Sequence, residues 1–147
     1  MQDPIKSHPT RTEQLDILAT LIAKHSASGD AVLDIGCGTG YVGHLVMQRN
    51  PSLQFVGVDL AQASLDAASE NLSGFEAAPI LIQGDLMDPS DIALPDLQYA
   101  AAWTALTFHD LSDAAKQAVI GWMAGRLNPG GFLFIYDRVR LEEPSLF

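Results

Sequence analysis

One nine-residue stretch restricts the fold more than any other: Val32-Leu33-Asp34-Ile35-Gly36-Cys37-Gly38-Thr39-Gly40, an apolar run ending in three glycines at alternate positions. The run reads as a strand buried on both faces, because its apolar residues are continuous rather than alternating. Glycines accept positive φ and let backbone come within van der Waals reach of a ligand. Helical character resumes over residues 42–47 and stops at Asn50-Pro51. Strand, tight glycine loop and helix form the first unit of a parallel sheet, and such a loop suits a small polar ligand.

The unit then repeats. Residues 53–58 make a second strand ending at Asp59, followed by an alanine-rich helix over 62–72. Residues 79–83 make a third, followed by Gly84-Asp85-Leu86 and a stretch to Asp96 that Pro89 and Pro95 keep as loop or one short turn. Residues 97–103 make a fourth. Ser112-Asp113 then reads as the N-cap of a helix with Leu111, Ala115, Val119, Trp122 and Met123 on one side, running to about residue 127. Asn128-Pro129-Gly130-Gly131 breaks it, and residues 132–136 form a fifth strand ending at Asp137. An amphipathic helix over 12–27, with Leu15, Leu18, Leu21 and Ile22 at helical spacing, precedes them all.

This order defines a doubly wound α/β fold, a mostly parallel sheet of about five strands with helices on both faces. Residues 1–30 supply the N-terminal helix and its cap, and residues 31–147 the ligand-binding domain, within one domain overall. Right-handed crossovers gather the strand carboxyl ends at one crevice, so the glycine loop, Asp59, Gly84-Asp85, residues 103–110 and Asp137 should face each other.

Charge narrows the partners. The 147 residues carry a net charge of −10, a field that repels phosphate backbones and excludes general nucleic-acid binding without a basic patch. Arg138 and Arg140 stand among Asp137, Glu142 and Glu143 and read as a solvated ion-pair cluster instead. The single cysteine, Cys37, excludes a disulfide framework and a multi-cysteine zinc site. The N-terminus lacks a signal-peptide core and no apolar run approaches ~18 residues, so a cytoplasmic protein without a membrane partner is expected.

Two ligand classes compete for the loop. A dinucleotide fingerprint counted from Gly36 needs glycine at position 41, where Tyr41 stands; counted from Gly38, the letters match through Gly40 and Gly43 but begin two residues late. Asp34 also disfavours a pyrophosphate, since a buried strand-end carboxylate calls for loop amides or a cationic ligand group.

The stretch resembles motif I of class I S-adenosylmethionine-dependent methyltransferases, a Rossmann-like family. The resemblance extends to Asp59, to Gly84-Asp85-Leu86 and to Leu127-Asn128-Pro129-Gly130-Gly131, and so covers most of the chain. It implies S-adenosylmethionine (SAM) as methyl donor and S-adenosylhomocysteine as product. Gly36, Cys37, Gly38 and Gly40 would pass the methionine moiety, with Asp34 near its amino group. Asp59 would take the ribose hydroxyls and Asp85 the adenine amino group, with Leu60 and Leu86 flanking the ring. Gly84 and Trp103 belong to the same binding set. Asp59 lies nineteen residues after Gly40, close to the usual distance for a ribose-binding acid.

The acceptor should sit beyond the fourth strand. His109 is the candidate base, because unperturbed histidine titrates near neutrality; its other reading is a structural link between loop and helix. No metal is expected, two carboxylates near His109 (Asp110 and Asp137) being too common to carry a magnesium site. The segment after the fourth strand lacks an Asn-Pro-Pro-Tyr or Asp-Pro-Pro-Tyr motif, which together with the charge favours a small-molecule oxygen, nitrogen or carbon acceptor over a nucleic-acid base. In the resembling family an antiparallel hairpin follows the fifth strand, whereas this chain ends ten residues after Asp137. Residues 132–136 are therefore expected to form an exposed edge, open to association with a second copy. The alternative reading is a non-catalytic or truncated SAM-binding domain that works through that edge.

Overall fold

The computed structural model describes residues 9–138, in which five strands form one open sheet in the order β3-β2-β1-β4-β5. Every neighbouring pair is parallel. The strands are β1 (Ala31–Ile35), β2 (Gln54–Asp59), β3 (Ile80–Gln83), β4 (Tyr99–Ala105) and β5 (Leu127–Tyr136). The helices are α1 (Pro9–Lys24), α2 (Tyr41–Arg49), α3 (Gln62–Asn71) and α4 (Asp113–Ala124). The chain winds outward from β1 to β3 and then crosses back to β4 on the far side of β1. The switch point between β1 and β4 is where such sheets open a crevice.

Alternation along the strands divides the core. Val32, Phe55, Ala101 and Trp103 point to one face and pack under α1, α2 and α3. Leu33, Ile35, Val56, Val58 and Ala102 point to the other and pack under α4 and the segment after β3. Each fully buried side chain of this size contributes about 1.5–3 kcal/mol. Helices cover both faces, as continuous apolar strands require.

Element ends shift where local chemistry overrides periodicity. α1 starts at Pro9 rather than residue 12, because proline is pre-set for the first helical turn. It stops at Lys24, beyond which the Ser26 hydroxyl donates to the Ile22 carbonyl at 2.7 Å and Gly29 turns the chain at φ 86°. Its buried stripe is completed by Ala19, while Leu21 is 40% exposed. β4 begins at Tyr99 and runs on to Ala105, two residues past the predicted end, since Ala105 still pairs with Tyr136. α4 ends at Ala124, and Leu127 has already joined β5 opposite Tyr99. Asn128-Pro129-Gly130-Gly131 does not precede β5 but is absorbed as an irregularity in its ladder: Tyr99 pairs Leu127, whereas Ala101 pairs Phe132.

Among the described residues β5 pairs with β4 alone, with Phe132 42% and Ile135 48% exposed. The end of α1 shields part of it, the His25 ring lying 4.2 Å from that of Phe132. The Tyr136 hydroxyl is hydrogen-bonded to the Gln14 side chain of α1. Among the described residues no helix is long and apolar enough to cross a membrane. Arg140, Glu142 and Glu143 lie outside the described residues.

Candidate cofactor and acceptor site

A cavity of about 720 Å³ opens over the carboxyl ends of the strands, within the size range of small-molecule sites. Its floor is the loop after β1. Gly36 and Cys37 both donate backbone N–H to the Val58 carbonyl, at 2.8 and 2.9 Å, which carries the ladder past the end of β1 and fastens the loop to β2. At φ 75° Gly36 occupies the left-handed region, and a Cβ there would come within 2.7 Å of Thr107 Cγ2, so only glycine fits. Gly38, at φ 54°, faces open space.

Asp59 organises the loop from β2. Its Oδ2 accepts the Gly38 N–H at 2.8 Å and its Oδ1 accepts the Ala61 N–H at 3.0 Å. A carboxylate has about four lone-pair positions, so capacity remains for hydroxyl donors from the cavity. Asp34 also lines the cavity, although only 2% exposed. Burial pushes its pKa up to about 8; the Asp59 charge adds to that, and the Trp103 indole opposes it. Register explains the neighbours: Asp34 stands directly between Gly57 and Trp103 in the sheet. The indole N–H lies beside Asp34 without closing a well-formed hydrogen bond and is left as a buried donor. A carboxyl that is neutral alone and ionises when a cation arrives suits a ligand with a positive group. Burial first, then the charges of Asp34 and Asp59, push the Cys37 thiol well above its ordinary value, so it keeps its proton.

Leu60, Asp85, Leu86 and Met87 line the end of the cavity beside β2 and β3. Leu60 and Met87 are 63% and 57% exposed, an apolar pair at the mouth, and Asp85 Oδ1 accepts the Met87 N–H at 2.9 Å.

The opposite end is built by the segment after β4. Leu106 has φ 59°, rare for a leucine, and its N–H donates to the Tyr136 carbonyl at 2.8 Å. His109 follows, with Nδ1 2.8 Å from Asp137 Oδ1 and its backbone N–H 3.0 Å from Asp137 Oδ2. Burial alone would raise Asp137, but the hydrogen bonds from the His109 ring and from the backbone N–H groups of Arg138 and His109 hold its pKa below the ordinary value. With Nδ1–H given to Asp137, the lone pair falls on Nε2, which has Asp110 Oδ2 at 3.4 Å. Among the described residues no His, Cys, Asp and Glu cluster could hold a metal ion.

Nine of the residues singled out from sequence line the cavity: Asp34, Gly36, Cys37, Gly38, Asp59, Leu60, Asp85, Leu86 and His109. Three do not. Trp103 is fully buried in the core against Phe55, because β4 extends beyond it and delivers Ala105 and Leu106 to the crevice instead. Gly40 packs toward Leu72 and Ala68 of α3, and Gly84 toward Ile92, where a Cβ would come within 2.7 Å. Arg138 lines the cavity rather than joining Asp137 in a solvated cluster, since the Asp137 carboxylate is taken by His109. Leu106 and Thr107 line the cavity, as expected for residues 103–110, whereas sequence reasoning missed Arg11, Tyr41 and Met87.

An open parallel sheet with a glycine loop at its switch point and acids at the ends of β1 and β2 defines a nucleoside-binding α/β protein. Residues 32–131 match the family model described as a methyltransferase domain, and the chain belongs to that family, the class I SAM-dependent methyltransferases. It is 28% identical over 124 residues to trans-aconitate 2-methyltransferase of Acidovorax sp. (strain JS42), covering 78% of this chain and 40% of the relative. It is 30% identical over 118 residues to ribosomal RNA small subunit methyltransferase C of Haemophilus influenzae, covering 78% of this chain and 34% of the relative. The SAM-bound structure of CalS10, an amino pentose methyltransferase from Micromonospora echinaspora, superposes with a TM-score of 0.68 at 26% identity, over 86% of this chain and 50% of that one. The chain thus spans half the length of these relatives or less. Family membership sets aside the dinucleotide reading. Gly43 serves packing instead, lying where a Cβ would come within 2.9 Å of the Phe55 ring.

Proposed function

We propose that this chain binds SAM in the cavity and transfers its methyl group to a small-molecule acceptor, with S-adenosylhomocysteine as product. The observation that carries the reading is the convergence of Asp34, Asp59 and Asp85, from the ends of three adjacent strands, on one cavity floored by the glycine loop. Asp34 holds the ammonium end of the ligand, directly or through water. Asp59 uses its spare lone pairs for the ribose hydroxyls, and Asp85 meets the adenine amino group between Leu60 and Leu86. Bound SAM supplies a methyl group on a sulfonium, whose leaving group is already in place. His109 takes the acceptor's proton at Nε2 while Asp137 fixes the ring through Nδ1, the arrangement of an oriented general base.

The net charge of −10 supports a small acceptor over RNA, despite a ribosomal RNA methyltransferase among the relatives. A cytoplasmic setting belongs to the same proposal, as does association through β5, for which light scattering at tens of micromolar is the check. Calorimetric titration with SAM and S-adenosylhomocysteine tests the cofactor assignment before any acceptor is known. Micromolar binding supports it; no binding to the folded protein refutes it. A protein that binds both but never forms S-adenosylhomocysteine with any acceptor would have the non-catalytic, association-based role.

A further inference from the structure

We propose that Trp103 is a positioning residue for the cofactor: its indole N–H stands in the core as the hydrogen-bond donor for the Asp34 carboxylate once that group has met the ligand's positive end; this rests on the cofactor reading above and adds a residue to the same site. Trp103 is fully buried and forms no part of the cavity wall, yet the register of β1 and β4 sets it directly opposite Asp34. Alternation along the strands puts both side chains on the face that packs under α1, α2 and α3.

The indole is a donor without an acceptor. Among the described residues Trp103 Nε1 has no hydrogen-bond partner, and a buried N–H left unpaired is costly enough that an apolar ring would fill this place better if Asp34 never ionised. The other side of Asp34 offers no substitute. Its β2 neighbour is Gly57, which has no side chain, and a Cβ there would come within 2.9 Å of Cys37 Sγ. Cys37 keeps its proton and directs it to the Gly38 carbonyl, with Sγ 3.7 Å from the oxygen. Phe55 packs against the indole, with ring centroids 6.1 Å apart, and limits how far it can turn. Trp103 is therefore the side-chain donor that the flanking strands bring to Asp34.

Such a donor answers an electrostatic problem. Burial keeps Asp34 protonated in the free protein, its pKa pushed up to about 8, with the indole opposing that rise and the Asp59 charge adding to it. The acid has to ionise to hold an ammonium group, and a neutral donor behind it lowers the cost of ionisation without competing for the ligand. A lysine or arginine in that place would instead pair with the carboxylate permanently. Asp34 faces Asp59 of β2 and the Cys37 thiol of its own loop. The other charged and titratable groups around the cavity are Arg11 of α1, Tyr41 of α2, Asp85 after β3, His109 and Asp110 after β4, and Arg138.

The test follows the indole N–H signals in proton–nitrogen correlation spectra, of which the chain has two. Trp122→Phe assigns them, and in the wild type the Trp122 signal is the reference, its N–H being equally unpartnered but packed on the opposite face of the sheet. In the free protein the Trp103 signal should move downfield as pH rises through the titration of Asp34. Asp34→Asn should abolish that movement, which separates it from the titration of every other cavity group. Saturation with S-adenosylhomocysteine at about pH 6, where the free acid is still protonated, should bring the Trp103 signal to the same downfield position. Calorimetry adds a cycle: Trp103→Phe should weaken S-adenosylhomocysteine by about tenfold or more, and the same change made in Asp34→Asn should weaken it no further. A merely structural role would weaken both backgrounds alike. Should Trp103→Phe fail to fold, the wild-type and Asp34→Asn spectra decide by themselves. Three outcomes overturn the proposal while leaving the cofactor site standing: S-adenosylhomocysteine binds without moving the Trp103 signal, the signal titrates equally in Asp34→Asn, or Trp103→Phe costs the same affinity in both backgrounds. Failure of S-adenosylhomocysteine to bind the folded wild type would remove the cofactor reading and this proposal together.

Discussion

Replacing Asp34 with asparagine keeps the side chain's shape and removes its ability to ionise. In the free protein the folded pKa is about 8 against 3.8 for an ordinary aspartate, with burial as the main cause. Because the folded value lies above the unfolded one, the folded state binds more protons than the unfolded state between those limits. Stability therefore falls as pH rises through that window and is least above it. Across the three pH units from 5 to 8, at about 1.4 kcal/mol per unit, wild type should lose on the order of 4 kcal/mol relative to Asp34→Asn. Urea unfolding of both proteins at several pH values in this range reads that difference directly. Stability profiles that run parallel would refute the claim that Asp34 is neutral in the free protein. The same titration couples to binding: a cationic ligand should drive a proton off Asp34 at pH 7. Calorimetry in buffers of different ionisation enthalpy should detect that release with SAM for wild type and not for the asparagine variant.

Asp59→Ala should cost about 1.5–3 kcal/mol of S-adenosylhomocysteine affinity, the scale of hydrogen bonds to a charged acceptor, measured by calorimetry. Gly36→Ala forces a β-carbon toward Thr107 at positive φ and should lower folding stability by about 1–3 kcal/mol in urea unfolding. His109→Gln should reduce kcat by about 10²–10⁴ with S-adenosylhomocysteine affinity unchanged, provided the acceptor must lose a proton. Asp137→Asn should lower kcat less and shift its pH profile, since it removes the group that orients the ring.

The residues of the proposed cofactor end were legible as a cluster because they are adjacent in sequence to strand ends, and strand ends follow from hydrophobic runs and breakers. Asp34 to Gly38, Asp59 with Leu60, and Asp85 with Leu86 each sit within three residues of a strand terminus, so topology alone carries them to one crevice. Where a strand ends was less legible. β4 outlasts its expected end because pairing with β5 continues to Ala105, and this one shift takes Trp103 out of the cavity and into the core beside Asp34. The Asn-Pro-Gly-Gly break looked like a boundary, yet the ladder absorbs it, since pairing with β4 resumes at Phe132.

The linear chain therefore carried the fold class, the glycine loop and the strand-end acids of the cavity, all of which depend on local pattern and parallel winding. The proposed acceptor end depended on packing between distant segments. Arg11 reaches the cavity because α1 lies against β5, His109 is oriented by a carboxylate twenty-eight residues away, and Asp34 holds its proton because α1–α3 seal its face of the sheet. Hydrophobic periodicity records which face of an element is buried, but not which partner buries it, and at this end of the cleft the partner supplies the chemistry.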